Sequence, residues 1–135
     1  MAASACNHGH FQMTEFESNI RAIYDHWNAS NVEGVIDAFK AMGPQGFTVE
    51  YVGETPLDGV TAVKDMWNNY GGVCKTEIIH LLVNGNEAAA LIHNIIPQEG
   101  GPPTILPSIE TYRIEAGNLV VRYYHQTPEG TYTSA

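Results

Sequence analysis

Residues 104–126 have the sequence TILPSIETYRIEAGNLVVRYYHQ, which has the pattern of two strands joined by a tight turn. Apolar and polar side chains alternate through residues 104–114 and again through residues 118–126, as in strands with one buried face. Gly117 and its neighbours supply the turn between them. These residues predict an antiparallel hairpin, and the remaining sequence has to supply what covers it.

Three further strands are predicted upstream of this hairpin. Residues 75–83 and 87–96 flank Asn84-Gly85, a dipeptide that favours a two-residue hairpin turn. Residues 97–103 are rich in glycine and proline and are predicted to form a loop. Residues 47–52 alternate in the same way and predict an earlier strand.

Three amphipathic helices are predicted in the first half of the chain. Thr14 with Glu17, and Ser30 with Glu33, match the capping-box pattern that begins a helix. Apolar residues follow each box at helical spacing, and they recur at the same spacing over residues 60–70.

The order helix, helix, strand, helix and then four strands predicts an α+β fold rather than an alternating α/β fold. A curved antiparallel sheet packed on three helices would form a cone with a central pocket. We expect one domain over residues 14–127, preceded by a flexible leader at 1–13 and followed by a tail at 128–135.

The composition limits the classes of partner. Fifteen acidic residues and six lysines and arginines give a formal net charge of −9 among 135 residues. Binding to nucleic acids or anionic membranes depends on lysine and arginine, so we expect neither partner. Cys6 and Cys74 make no disulfide framework, which favours free thiols in the cytoplasm. Cys6, His8 and His10 could ligate a metal, but no fourth ligand is apparent and no metal site is predicted.

Glu110 is the carboxylic acid of most interest, because it lies mid-strand among apolar residues. If it is buried, desolvation would raise its pKa and suit it to act as a general acid or a neutral donor to an oxyanion. The other interpretation places it on the outer face, or in an ion pair with Arg113 or Arg122. A β-bulge would exchange the two faces, so the pattern leaves both open.

His93 and His125 are candidate general bases, because histidine titrates near neutral pH. For His93 the other interpretation is a position in the core or at a dimer face. Tyr124 and His125 are adjacent, so only a bulge would let both point inward.

Aromatic side chains are numerous enough to line the predicted pocket, where tyrosine hydroxyls can orient an apolar ligand. The candidate catalytic residues are Glu110, His125, Tyr51 and Tyr124, and the candidate substrate-binding residues are Asn94, Trp27, Tyr24, Trp67, Tyr112, Arg122 and Ile92. In this set Glu110 is the acid or oxyanion donor, His125 is the base, and the others orient or enclose the substrate.

The order of elements and four short segments resemble the nuclear-transport-factor-like cone fold. The segments are YDHWNASN (24–31), FTVEYVG (47–53), PLDG (56–59) and ETYRIEAGNL (110–119). Within that superfamily, residues 14–127 are most similar to SnoaL-like polyketide cyclases and ketosteroid isomerases.

The resemblance implies roles for several positions. The neutral carboxylic acid of ketosteroid isomerase falls at Glu110. The isomerase's base falls at Tyr51, although tyrosine is a poor base at neutral pH. Its oxyanion tyrosine falls at Ile23, beside Tyr24.

The relatives also imply roles on two other strands. The acid/base aspartate of the cyclases falls at Tyr124, beside His125. The arginine and aspartate of the related epoxide hydrolases fall near residues 93–96, where this chain has His93 and Asn94. The set that activates water in those hydrolases is therefore incomplete.

The predicted function is that of a cofactor-free isomerase or cyclase that moves a proton α to a carbonyl in a neutral, apolar, natural-product-like substrate. A non-catalytic small-molecule binder of the same fold, a dehydratase and an epoxide hydrolase are the alternatives. A homodimer through the outer sheet face is also expected, because Leu119, Val121 and Tyr123 would otherwise form an exposed apolar surface.

Overall fold

Three helices cover one curved sheet in a computed structural model that describes residues 13–126. The helices are α1 (Glu15–Asn28), α2 (Val32–Met42) and α3 (Gly59–Tyr70). The strands are β1 (Gly46–Tyr51), β2 (Leu57–Asp58), β3 (Lys75–Asn84), β4 (Glu87–Gln98), β5 (Gly101–Glu115) and β6 (Asn118–Tyr124). The predicted α+β class is confirmed.

The helices begin at side-chain caps. The Thr14 hydroxyl accepts a hydrogen bond from the Glu17 amide at 3.1 Å, as the capping box predicts. At α2 the prediction is wrong by one residue, because Asn31 is the cap and accepts from the Gly34 amide at 3.0 Å. Ser30 instead has a φ of 61°, in the left-handed region that turns the chain between the two helices.

The strands lie in the order β2-β1-β6-β5-β4-β3. Strands β1 and β6 run parallel, and every other neighbouring pair in the described sheet is antiparallel. The sheet is therefore mixed rather than purely antiparallel, and it includes the short β2 that sequence patterns did not predict. Most of the predicted loop at 97–103 belongs to the β4–β5 hairpin, which extends to Gln98 and Gly101.

The core lies between the helices and the concave face of the sheet. Val49, Ile92 and Val121 on the sheet and Val63 on α3 are fully buried. Such burial contributes about 1.5–3 kcal/mol for each large apolar side chain. A Cβ atom at Gly59 would lie 2.1 Å from the Phe47 ring, so α3 can start this close to β1 only with glycine.

Several sequence-based expectations fall outside this description. The leader apart from Met13, and with it Cys6, His8 and His10, lies outside the described residues, as does the tail from Thr127 onward. Within residues 13–126, none of the helices has the length and apolar character needed to cross a membrane.

Candidate active site

Strand β5 points a run of polar side chains into the protein. Ser108, Glu110 and Tyr112 alternate with Ile109 and Thr111, and the first three are at most 8% exposed. Ile109, on the opposite face, is 46% exposed. The period of two along a strand makes this possible, and the register with β4 and β6 is regular through these residues.

Three hydroxyl groups surround the Glu110 carboxyl. The Tyr24 hydroxyl, from α1, donates to Oε1, and the Ser108 hydroxyl donates to Oε2 at 3.0 Å. The Tyr112 hydroxyl lies 3.4 Å from Oε1 and 2.5 Å from the Tyr24 hydroxyl. A buried carboxyl with partners at both oxygens is fixed in orientation.

Asn94 on β4 extends this network. Its Nδ2 donates to the Ser108 hydroxyl oxygen at 3.0 Å and to the Leu106 carbonyl at 3.1 Å. Five side chains from α1, β4 and β5 thus form one connected cluster, Asn94–Ser108–Glu110–Tyr24–Tyr112.

Burial controls the ionisation of this cluster. Burial raises the pKa of the Glu110 carboxyl above its ordinary value, and the hydrogen bonds from Tyr24, Ser108 and Tyr112 oppose that shift only in part. Burial and the charge of Glu110 raise the pKa of Tyr24 and of Tyr112 well above 10.0. The phenols therefore stay protonated at neutral pH, and the Glu110 carboxyl is the group in the cluster that ionises first as pH rises.

A cavity of about 480 Å³ opens beside the cluster. Buried lining residues include Ile23, Tyr24, Val35, Ala62, Ser108, Glu110 and Tyr123, and exposed residues at its mouth include Leu57, Asp65, Asn69, Tyr70, Leu106 and His125. The walls are mainly apolar, and the carboxyl group of Glu110 lies at the buried end. A pocket of this kind suits a small molecule that carries one polar group.

Six of the predicted site residues line the cavity: Glu110, His125, Tyr51, Asn94, Trp27 and Tyr24. Tyr51 contacts the His125 ring edge-on at a centroid distance of 5.9 Å. Burial and nearby negative charges raise the pKa of Tyr51 to about 12. At neutral pH Tyr51 can therefore donate a hydrogen bond but cannot serve as a base.

Three predicted residues lie behind the cavity wall rather than in it. Tyr112 contacts Glu110 and Tyr24 from the core and is 1% exposed. Trp67 packs edge-on against Trp27 at a centroid distance of 5.1 Å. Ile92 is fully buried in the core.

Tyr124 and Arg122 lie on the opposite face of the sheet, which corrects their assignment to the pocket. Strand β6 has no bulge against β5, so Tyr123 points inward, Tyr124 points outward, and His125 lines the cavity mouth. The Arg122 guanidinium donates to the Tyr124 hydroxyl at 2.9 Å and pairs with Glu50 at 3.2 Å.

The same alternation corrects the surface expected to mediate dimerisation. Leu119, Val121 and Tyr123 are at most 9% exposed, because they pack in the core. His93 alternates with the inward-facing Ile92 and Asn94, which places it on the outer face of β4.

Ser108 and Tyr123 are site residues that the sequence interpretation missed. Ser108 lies two residues before Glu110 on β5, and Tyr123 lies two residues before His125, which directly follows β6. In an extended chain, residues two apart point to the same side. The two-residue spacing along each strand was therefore the signal for these two residues. It identifies them only when the face of the sheet that points inward is known.

A family model described as a SnoaL-like domain matches residues 20–123. This match spans most of the chain, and the chain therefore belongs to the SnoaL-like domain family. No curated protein sequence matches the chain.

Solved structures share the fold at low sequence identity. An NTF2-like protein of unknown function from Burkholderia pseudomallei K96243 has a TM-score of 0.65 and 12% identity, with 84% of this chain and 92% of that chain covered. A putative polyketide cyclase from Xanthomonas campestris has a TM-score of 0.57 and 14% identity, with 83% and 90% covered. An LEH-like epoxide hydrolase from M. tuberculosis has a TM-score of 0.58 and 14% identity, with 83% of each chain covered.

Proposed function

We propose that this protein is a cofactor-free isomerase or cyclase that transfers a proton α to the carbonyl of a neutral, largely apolar, natural-product-like substrate. The observation that carries the proposal is the buried Glu110 carboxyl, hydrogen-bonded to Tyr24 and Ser108 at the inner end of an apolar cavity. The name of the putative polyketide cyclase among the structural neighbours is consistent with it.

The chemistry follows from the raised pKa of Glu110. In its neutral form the acid donates a hydrogen bond, directly or through the Tyr24 hydroxyl, to the carbonyl oxygen of the substrate. A base removes the α proton, the carbon–hydrogen electron pair forms an enolate, and the buried donors stabilise its oxygen. The enolate then takes a proton at another carbon or attacks an electrophilic carbon to close a ring, so the reaction needs no oxidant or reductant.

His125 is the candidate base in this scheme, because it lines the cavity at its mouth and its ring contacts Tyr51. The imidazole could accept the α proton of a substrate whose carbonyl reaches inward to Glu110. General acid–base catalysis of this kind contributes about 10²- to 10⁴-fold to the rate.

The charges around the cavity favour a neutral substrate. Within residues 13–126, the cavity lining includes the carboxyl groups of Asp65 and Glu110 but no lysine or arginine. Together with the net charge of −9, this disfavours an anionic ligand. Without an arginine on the lining, the water-activating set of the epoxide hydrolases is also incomplete.

The direct test is exchange of α protons for deuterium in a panel of neutral bicyclic and polycyclic ketones, followed by mass spectrometry. We expect exchange with the wild-type protein and a loss in both Glu110→Gln and His125→Ala. Glu77→Gln, on the exposed outer side of β3, is the matched control. Full exchange in both site variants would overturn the assigned roles.

A non-catalytic binder is the second candidate, and one observation favours it. The hydrogen-bond partners of Glu110 among the described residues are hydroxyl groups, so no base is in direct contact with the acid. Calorimetric binding of a ketone from the panel without any isotope exchange would support the binder over the enzyme.

A further inference from the structure

Asn94 and Ser108 form an arm that reaches Glu110 from the side opposite Tyr24. The arm contacts Oε2 of the carboxyl, whereas Tyr24 and Tyr112 approach Oε1. The two oxygens of the Glu110 carboxyl thus have different hydrogen-bond partners. The chain of hydrogen bonds that reaches Oε2 begins at Asn94 on β4.

The donor and acceptor roles along the arm are set by chemistry. The Leu106 carbonyl can only accept, so the Asn94 atom 3.1 Å from it is the amide nitrogen. The same nitrogen lies 3.0 Å from the Ser108 oxygen and donates to it. Since Ser108 has a single hydroxyl proton, that proton is left for Oε2 of Glu110, at 3.0 Å.

We propose that Asn94 and Ser108 are positioning residues that keep Oε2 of Glu110 an acceptor and so direct the proton of the neutral acid to Oε1. The Tyr24 hydroxyl, which donates to Oε1 of the ionised carboxylate, then accepts from it. The catalytic role of this arrangement rests on the function proposed above. In that function, Oε1 of Glu110 and the Tyr24 hydroxyl are the two groups that deliver the acid's proton to the substrate carbonyl. An Asn94 that only orients substrate would leave the protonation of Glu110 unchanged.

Several titratable groups lie around Glu110. Burial and the charge of Glu110 raise the pKa of Tyr24 on α1, Tyr51 on β1, Cys74 before β3, Tyr112 on β5 and Tyr123 on β6. Asp65 on α3 and His125, directly after β6, also line the cavity. These phenols and the thiol remain protonated in the range where a carboxyl with a raised pKa titrates.

The test is a pH titration of the Glu110 carboxyl, without substrate, in protein labelled with ¹³C at the glutamate carboxyl carbon. The Glu110 signal is assigned from its absence in Glu110→Gln. Ser108→Ala should move the midpoint upward by about one pH unit, because loss of a hydrogen bond to the ionised form disfavours that form. Asn94→Leu should move it in the same direction by less, because Ser108 keeps its hydroxyl but loses its orientation.

Three variants separate positioning from a general structural effect. Asn69→Leu changes another amide on the cavity lining, and Thr111→Val changes a hydroxyl on the outer face of β5; neither should move the midpoint. Ser108→Thr keeps the hydroxyl, with the cavity as room for the added methyl, and should restore the wild-type midpoint.

An unchanged midpoint in Ser108→Ala, or an equal shift in Asn69→Leu and Asn94→Leu, would overturn the inference. The titration needs no turnover, so it can succeed while the isotope-exchange test of the proposed enzyme fails, and the reverse also holds.

Discussion

An ordinary half-buried strand turns its apolar side chains inward and its polar side chains outward, but β5 does the reverse at its centre. The concave face buries Ser108, Glu110 and Tyr112, whereas the convex face leaves Ile109 46% exposed. Polar groups in a core cost stability unless they are hydrogen-bonded, and here hydroxyls contact both carboxyl oxygens. The concave face therefore holds a hydrogen-bonded polar cluster within the core, whereas the convex face of β5 exposes an apolar side chain.

The largest effect should come from removing the acid on the concave face. Glu110→Gln keeps the size of the side chain but cannot release or deliver a proton, so we expect α-proton exchange to fall by about 10²- to 10⁴-fold. Glu77→Gln on the convex side should exchange at the wild-type rate. Equal rates for both variants would remove the functional contrast between the faces.

The second effect concerns the donor beside the acid. Tyr24→Phe removes a hydroxyl from Oε1, and loss of one oxyanion donor typically costs about 10²- to 10³-fold in rate. The same change should raise the pKa of Glu110 further, since the Tyr24 hydrogen bond opposes the shift caused by burial. Tyr124→Phe, which removes a tyrosine hydroxyl on the convex face, is the control. A loss of exchange rate in Tyr124→Phe as large as that in Tyr24→Phe would contradict the assignment of the active site to the concave face.

The third effect is on stability and depends on pH. Because burial raises the pKa of Glu110 in the folded state, the unfolded chain loses this proton at lower pH than the folded chain does. Wild-type stability should therefore fall as pH rises from the ordinary glutamate range through the raised pKa, relative to Glu110→Gln. Thermal unfolding of both proteins between pH 4 and 8 measures the difference. If the two plots of stability against pH run parallel, folding does not raise the pKa of Glu110, and the expectation is contradicted.

The smallest effect on activity is expected from the convex face. We propose that a second copy of this chain covers it, because Leu82, Ile109 and Tyr124 on the outer sides of β3, β5 and β6 are 68%, 46% and 40% exposed. Leu82→Lys combined with Ile109→Lys should give a monomer by light scattering. The stability of each folded subunit should change by no more than about 0.5 kcal/mol. A wild-type monomer, or a variant that stays dimeric, would contradict this surface.

Much of the fold follows from local sequence signals. Thr14 caps α1 as the capping box predicts, and the Asn84-Gly85 turn joins β3 to β4. The capping-box pattern places the cap of α2 one residue early, at Ser30 instead of Asn31, since both are good capping residues. The two-residue β2 has too few residues to show a period.

The candidate site was predictable only in part. Alternation groups Ser108, Glu110 and Tyr112 on one side of β5, but a period of two does not say which side faces the helices. On β6 the alternation likewise does not say which side faces the helices. The sequence therefore assigned Tyr124 to the pocket, whereas Tyr123 is the residue that lines the cavity.

The sequence by itself determined the class of fold, the order of its elements and the side chains that share a strand face, because these depend on residues close together in the chain. Only the tertiary structure decided that Tyr24 meets Glu110, 86 positions away, and that β1 pairs in parallel with β6. Such contacts depend on how helices and strands pack around one cavity, and packing is a property of the assembled elements rather than of any one segment.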